Sequence, residues 1–323
     1  MARTLPISDP ETLAIAIEAL RRGEAIAVAT ETVYGLAADA TNPDAVTAIY
    51  EAKGRPRFNP LIAHVADIEM AKAHVDFSPL AERLAEAFWP GPLTLVLPLK
   101  PSAKIHPLAT AGLETAAVRM PQGFARDLIA AFGRPLAAPS ANRSGRVSPT
   151  TAKHVADDLG ERIKLILDGG PCRVGVESTI LAVMDGVLHL LRPGGVPVEA
   201  IEDIAGMTVK RPVPQSGDAV IAPGMLASHY APESALRLNA STVRPGEAII
   251  RFGGKRLAGE AEARVVMDLS PSGDLNEAAA NLFDFLKRAD AAGATGIAVA
   301  PVPMHGLGEA INDRLSRAAA PRD

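Results

Sequence analysis

The chain has 323 residues, a net charge of −4, 48% hydrophobic and 22% charged residues, and a single cysteine, Cys172. That length predicts about two domains whose cores need no covalent staple, and one cysteine excludes an internal disulfide, a cysteine-based zinc site and an iron–sulfur cluster. The acidic balance and 4% aromatic content argue against broad nucleic-acid binding, while the lack of a signal-peptide core and of any apolar run near ~18 residues predicts a cytoplasmic chain.

Asp9-Pro10 opens a predicted helix over 10–22, and a strand follows over 24–30. Asn42-Pro43 opens a second helix over 43–53, with Gly54 placed as its C-terminal cap. A strand over 61–65 leads to Ser78-Pro79 and a helix over 79–88. Strands over 93–98 and 115–119, a helix over 123–133 and a strand over 135–138 come next. Ser148-Pro149 opens a helix over 149–160, followed by strands over 164–168, 178–184 and 187–191. Asp185-Gly186 joins the last two as a β-hairpin. Strands interleaved with helices predict an α/β domain over 1–205, and the hairpin makes its sheet mixed.

Between 206 and 240, prolines and glycines break any regular element, so an ordered linker is predicted there. A smaller α/β unit over 241–323 follows. It has strands over 247–252, 264–268 and 296–300 and helices over 274–292 and 307–319. Leu275, Ala278, Ala279, Leu282, Phe283, Phe285, Leu286 and Ala289 recur at helical spacing and form one apolar face.

The motifs of common nucleotide-binding and hydrolytic folds are absent. There is no Gly-x4-Gly-Lys-Ser/Thr loop, no strand-borne Gly-x-Gly-x-x-Gly, no His-Glu-x-x-His and no Gly-x-Ser-x-Gly. What the chain offers instead is several polar segments at strand ends. Thr30-Glu31-Thr32-Val33-Tyr34-Gly35-Leu36 ends an apolar run. Lys53 and Arg55 flank the Gly54 turn, with Asn59 and His64 just downstream. An arginine fork beside a mobile ammonium suits a polyanion, though cations at a helix C-terminus also complement the dipole. Ala138-Pro139-Ser140-Ala141-Asn142-Arg143-Ser144 leads to the Ser148 cap, and hydroxyls with free N–H groups at a helix start can hold an anion. Thr115 and Arg119 share a strand face. An arginine in an apolar strand needs a partner, either a carboxylate-bearing ligand or a structural Glu or Asp. Glu177-Ser178-Thr179 starts a strand after Asp168-Gly169-Gly170 and Gly175. Arg192 ends another before Pro193-Gly194.

Taken together these segments resemble the L-threonylcarbamoyladenylate synthases, in the long form with a YrdC-like catalytic domain and a smaller C-terminal domain. The resemblance also rests on Phe88-Trp89-Pro90-Gly91-Pro92-Leu93-Thr94, Val118-Arg119-Met120-Pro121, Leu191–Gly194, Ala222-Pro223-Gly224-Met225 and His229-Tyr230-Ala231-Pro232. Ser228 departs from it, since a basic or larger residue is expected there. The resemblance implies a twisted, mixed open sheet with helices around a concave cavity, plus a small Rossmann-like α/β domain. It implies that L-threonine, bicarbonate or CO2, and ATP with Mg²⁺ give threonylcarbamoyl-AMP and pyrophosphate. The product would feed threonylcarbamoyladenosine formation in tRNA through tRNA threonylcarbamoyltransferase partners, with weak direct tRNA contact allowed.

Carried onto this chain, the resemblance assigns Lys53 and Arg55 to catalysis. It assigns Arg55, Asn59, Thr115, Ser140, Ser148, Arg192 and Tyr230 to ATP. Thr32, His64, Arg119, Ser178 and the Ala138 backbone would hold threonine. No protein metal ligand is assigned. Tyr230 in the linker implies that the linker folds over the cavity and excludes water. Two other readings compete. One is an RNA-binding module with a basic cavity. The other is carbamoyl transfer as in hydrogenase maturation, which the single cysteine disfavours.

Overall fold

The proline-led helix starts divide into two kinds. In the computed structural model, which describes residues 1–211 and 229–321, Asn42 accepts from the N–H groups of Asp44 and Ala45, and Ser78 accepts from that of Ala81. Both cap their helices as the sequence predicts. Asp9 and Ser148 do not. The first helix starts later, at Thr12, and the Asp9 carboxylate accepts from Glu11 N–H instead. The helix expected from 149 starts at Ala152 with Thr151 as its cap. Ser148 is drawn away by a buried carboxylate, Glu177.

The larger domain holds ten strands. They are β1 (Arg3–Pro6), β2 (Ile26–Val28), β3 (Gly35–Asp39), β4 (Ile62–His64), β5 (Leu93–Pro98), β6 (Thr115–Arg119), β7 (Leu136–Ala137), β8 (Leu165–Asp168), β9 (Thr179–Met184) and β10 (Val187–Arg192). Its helices are α1 (Thr12–Arg21), α2 (Pro43–Lys53), α3 (Ile68–Lys72), α4 (Pro79–Phe88), α5 (Pro107–Thr110), α6 (Phe124–Phe132), α7 (Ala152–Leu159) and α8 (Val198–Ala205). The strands form one sheet in the order β1-β8-β2-β3-β7-β4-β6-β5-β9-β10. Parallel and antiparallel neighbours alternate irregularly, so the sheet is mixed. The Asp185-Gly186 hairpin forms, with positive φ at both turn residues, as a primed turn requires.

Sequence patterning passes over β1 and β3. The first is a short edge strand ending in proline, and the second is built of Gly, Leu, Ala and Asp, which carry little strand propensity. β3 is held by its neighbours β2 and β7 rather than by its own residues.

The second sheet is wholly parallel. Its strands are β11 (Leu236–Arg237), β12 (Ala248–Arg251), β13 (Val265–Asp268) and β14 (Ile297–Val299), in the order β11-β14-β12-β13. Helices α9 (Leu275–Ala291) and α10 (Gly308–Ala319) complete the unit. The apolar face read for α9 is buried at Ala278, Ala279, Leu282, Phe283, Leu286 and Ala289. β11 lies within the span expected as linker, 206–240. The motif Ala222–Met225 and the departure at Ser228 lie outside the described residues.

The two domains share a core. Val33, Val147 and Val176 of the larger domain and Tyr230 pack in one cluster with Leu282, Phe283 and Leu286 of α9. Gly175 makes this approach possible. A β-carbon there would overlap the Ala279 carbonyl and the Ala280 Cα, and its φ is positive. No helix among the described residues is long and apolar enough to cross a membrane.

Candidate active site

β4 and β6 run side by side and parallel, with His64 in register with Arg119. Adjacent strands lie ~4.8 Å apart, so the imidazole and the guanidinium must emerge as neighbours. The β2–β3 turn brings Thr30 and Thr32 beside them, and the chain leaving β7 brings Ala138, Pro139 and Ser140. That exit segment is laced to β3. Leu36 N–H donates to the Pro139 carbonyl, Ala141 N–H to Tyr34, and Gly35 bridges Ser140. Ser178 precedes β9 and Arg192 ends β10. A register shift in the hairpin between Leu190 and Arg192 sits next to that arginine, and such irregularities re-aim a side chain.

These elements line a cavity of about 50 Å³. Its walls include Thr32, Arg55, His64, Arg119, Ala138, Ser140, Glu177, Ser178, Arg192, His229 and Tyr230. Most of the sequence-derived site residues thus converge on one space. Lys53, Asn59, Thr115 and Ser148 are not among its walls. Lys53 is buried behind the loop and donates to the Ser140 and Asn142 carbonyls at 2.6 and 2.5 Å. Asn59 is buried, with its backbone carbonyl accepting from Arg55 Nε at 3.3 Å. Thr115 is at the opposite end of β6 from Arg119, about 13 Å away at strand rise. Ser148 Oγ donates to Glu177 Oε1 at 2.5 Å.

The charges are arranged unevenly. Arg119 is 4% exposed. Its Nε donates to the Gly91 carbonyl at 3.1 Å, Nη1 to Thr32 Oγ1 at 3.0 Å, and Nη2 to the Glu31 carboxylate. The structural carboxylate that the sequence left open is therefore Glu31, itself fixed by Gln122 N–H. Arg192 rests on the Ser178 carbonyl, with Nη2 at 2.9 Å, and also reaches Ser178 Oγ. The Ser178 hydroxyl is further bonded to Thr94 at 2.7 Å. Arg55 reaches the Pro60 carbonyl at 3.0 Å. Neither Arg55 nor Arg192 forms an ion pair among the described residues.

Protonation follows burial. Burial, reinforced by Arg119, holds His64 down at about 3, so its imidazole is neutral. Burial likewise holds His229 at about 3. Desolvation lowers Arg55 to about 10, which leaves it charged at neutral pH. It also lowers Lys53 and Arg192. For Glu177, burial works upward, but Arg314, Arg192 and the Ser148 hydroxyl overcome it and bring the carboxyl to about 2. The cavity thus presents arginines, hydroxyls and neutral imidazoles, with Glu177 already engaged. Anions bearing several acceptor oxygens match that surface.

Some participants are not assigned by the sequence reading: Glu177 and His229 of the cavity wall, and Glu31 and Arg314 behind it. Glu31 lies inside the Thr30–Leu36 motif, directly before Thr32, so its position was a signal. Arg314 interrupts the apolar face of α10 between Ile311 and Leu315. A charged residue in a buried stripe was the only mark it left.

Comparison with known proteins shows the family. The family Sua5_yciO_yrdC, described as telomere recombination, matches residues 18–194, and the threonylcarbamoyl-AMP synthase C-terminal domain matches residues 196–320. The threonylcarbamoyl-AMP synthase of Bacillus subtilis (strain 168) is 45% identical, over 98% of this chain and 95% of that protein. That of Pyrococcus abyssi (strain GE5 / Orsay) is 42% identical, over 95% and 94%. A crystal structure of P. abyssi Sua5 complexed with L-threonine superposes with a TM-score of 0.87 at 39% identity, covering 99% of this chain and 97% of that one. Both domains, their order and the fold coincide, and the chain belongs to the threonylcarbamoyl-AMP synthase family in its two-domain form.

Proposed function

We propose that this chain is an enzyme that makes L-threonylcarbamoyl-AMP from L-threonine, bicarbonate and ATP, with release of pyrophosphate, for threonylcarbamoyladenosine modification of tRNA. The observation that carries this reading is the cavity's charge pattern. Arg55 and Arg192 lean only on neutral oxygens, while the one wall carboxylate among the described residues, Glu177, is bound to Ser148 and Arg314. A site with unneutralised arginines is built for an anionic ligand, and both a triphosphate and an N-carboxylate qualify.

The reaction is a condensation at phosphorus. The threonine amine adds to CO2, losing a proton, and becomes an N-carboxylate. One oxygen of that carboxylate bonds to the α-phosphorus as the bond to the β-phosphate oxygen breaks, and pyrophosphate leaves. Charge gathers on the phosphoryl oxygens, so catalysis is positioning and electrostatic stabilisation. Arg55 and Arg192 take phosphate charge. Asn59, Thr115, Ser140, Ser148 and Tyr230 complete the nucleotide set. Lys53 holds the Ser140 loop from behind, through the Ser140 and Asn142 carbonyls. Thr32, His64, Arg119, Ser178 and the Ala138 backbone hold threonine, with the neutral His64 imidazole able to serve as donor or acceptor.

Among the described residues no group of His, Cys, Asp and Glu is placed to hold a metal. Mg²⁺ commonly binds through substrate phosphates and water, so here it would arrive with the triphosphate and supply charge neutralisation. The adenylate is a hydrolysable mixed anhydride, and its consumer is a threonylcarbamoyltransferase acting on tRNA.

The test is pyrophosphate release from ATP with threonine or bicarbonate omitted in turn. Release that needs both is the expected result. Release indifferent to threonine, or none, sinks the reading.

A further inference from the structure

Helix α10 buries Ile311, Leu315 and Ala318, and Arg314 stands in the same face with 0% exposure. A buried guanidinium is costly to hold, and an apolar residue of similar volume would pack such a face at least as well. Apart from its neighbour Asp313, at 2.6 Å, its partners lie outside its own domain. Nε donates to Glu177 Oε2 at 2.8 Å, and Nη1 donates to the Pro193 carbonyl at 2.9 Å. The guanidinium also lies 5.1 Å from the centre of the Tyr230 ring, within cation–π range. Tyr230 is also stacked on Phe283 of α9.

Each of these contacts ends beside the nucleotide half of the cavity. Glu177 holds the Ser148 hydroxyl. Pro193 directly follows Arg192. Tyr230 is itself a wall. Ser178 follows Glu177 and accepts from Arg192, but the rest of the threonine half is fixed by other means. Arg119 is held by Glu31, Thr32 and Gly91, and His64 by the backbone of its own strand. We propose that Arg314 is a positioning residue for ATP, through which the C-terminal domain completes the active site of the larger domain. This rests on the assignment of Ser148, Arg192 and Tyr230 to the nucleotide.

The experiment is steady-state pyrophosphate release by the full chain and its Arg314→Met and Arg314→Lys variants, with ATP and threonine varied separately and folding followed by circular dichroism. Arg314→Met is expected to raise KM for ATP about tenfold or more, while KM for threonine stays within about twofold. Lysine should recover only part of this, since one ammonium cannot reproduce the fixed fork onto Glu177 and Pro193. A merely structural arginine would lower kcat with the folded fraction, or shift both KM values alike, and either result overturns the proposal. So does an unchanged KM for ATP. Should Arg314→Met not fold, Glu177→Gln carries the test. It keeps the side chain's shape but loses the charge that Arg314 grips, so the same ATP-selective shift is expected, and a normal KM for ATP there overturns the proposal. Wild-type protein that releases no pyrophosphate with threonine and bicarbonate would bring down the underlying function instead, which keeps the two failures apart.

Discussion

The two sheets of this molecule treat arginine in opposite ways. In the parallel sheet of the C-terminal domain, Arg251 meets Glu260 and Asp268, each at 3.0 Å, and Arg237 meets Glu247 at 2.6 Å. Those cations are matched by carboxylates within their own domain. In the larger domain, Arg192 at the end of β10 and Arg55 in the turn after α2 lie against carbonyls and a hydroxyl, which satisfy N–H groups without neutralising charge. Hydrogen-bond satisfaction and charge balance are separate requirements. A protein that meets the first and leaves the second open has built an anion site. Arg119 stands between the two cases, since Glu31 balances it while it faces the cavity.

Three substitutions or titrations sharpen that contrast. The largest effect should come from Arg192→Met. Adenylate formation is expected to fall by roughly 10²–10³, the usual cost of losing a group aimed at transition-state charge. The melting temperature should hold or rise, because an uncompensated buried cation has been removed. Pyrophosphate release and a thermal melt report the two halves. A variant that turns over normally but melts early would make Arg192 a structural residue.

Arg251→Met should do the reverse. It leaves Asp268 and Glu260 without their cation and is expected to cost about 2 kcal/mol in urea unfolding. Turnover per folded molecule should be unchanged. Lost turnover at full folding would mean that the paired arginines also serve the reaction.

The third test is pH dependence. Burial, with Arg119 beside it, keeps His64 at about 3 when folded, whereas an unfolded histidine titrates near 6.5. The unfolded chain therefore binds more protons between those values, and stability falls as pH drops through that window. Glu177 adds to the loss lower down. Its folded value of about 2 lies below the ordinary carboxylate value of 4.5, so its contribution is complete above 4.5 and disappears as pH falls through 2. Urea midpoints from pH 7 to pH 4 should decline, and His64→Gln should flatten the upper part of the decline. A slope unchanged in that variant would mean that His64 is not held neutral.

Much of the architecture was legible because periodicity and turn chemistry act locally. The α9 face, the Asp185-Gly186 hairpin and the Asn42 and Ser78 caps depend on residues a few positions apart. The polar strand-end segments could also be read as site material, because hydroxyls and arginines at the mouths of apolar strands have few other uses. Tertiary structure alone decided the rest. β3 is a strand because β2 and β7 flank it, not because Gly, Leu, Ala and Asp favour one. Ser148 gave up its helix cap to a carboxylate 29 residues away. Lys53, read from its neighbours as a cavity cation, turned onto two loop carbonyls that lie 87 and 89 residues along the chain. Arg314 reaches Glu177 across 137 residues. Sequence by itself determined which segments carry polar chemistry and which side of each element is apolar. Which cation is neutralised and which is left for the substrate is set by long-range packing, because the energy of a buried charge depends on what surrounds it and not on what precedes it in the chain.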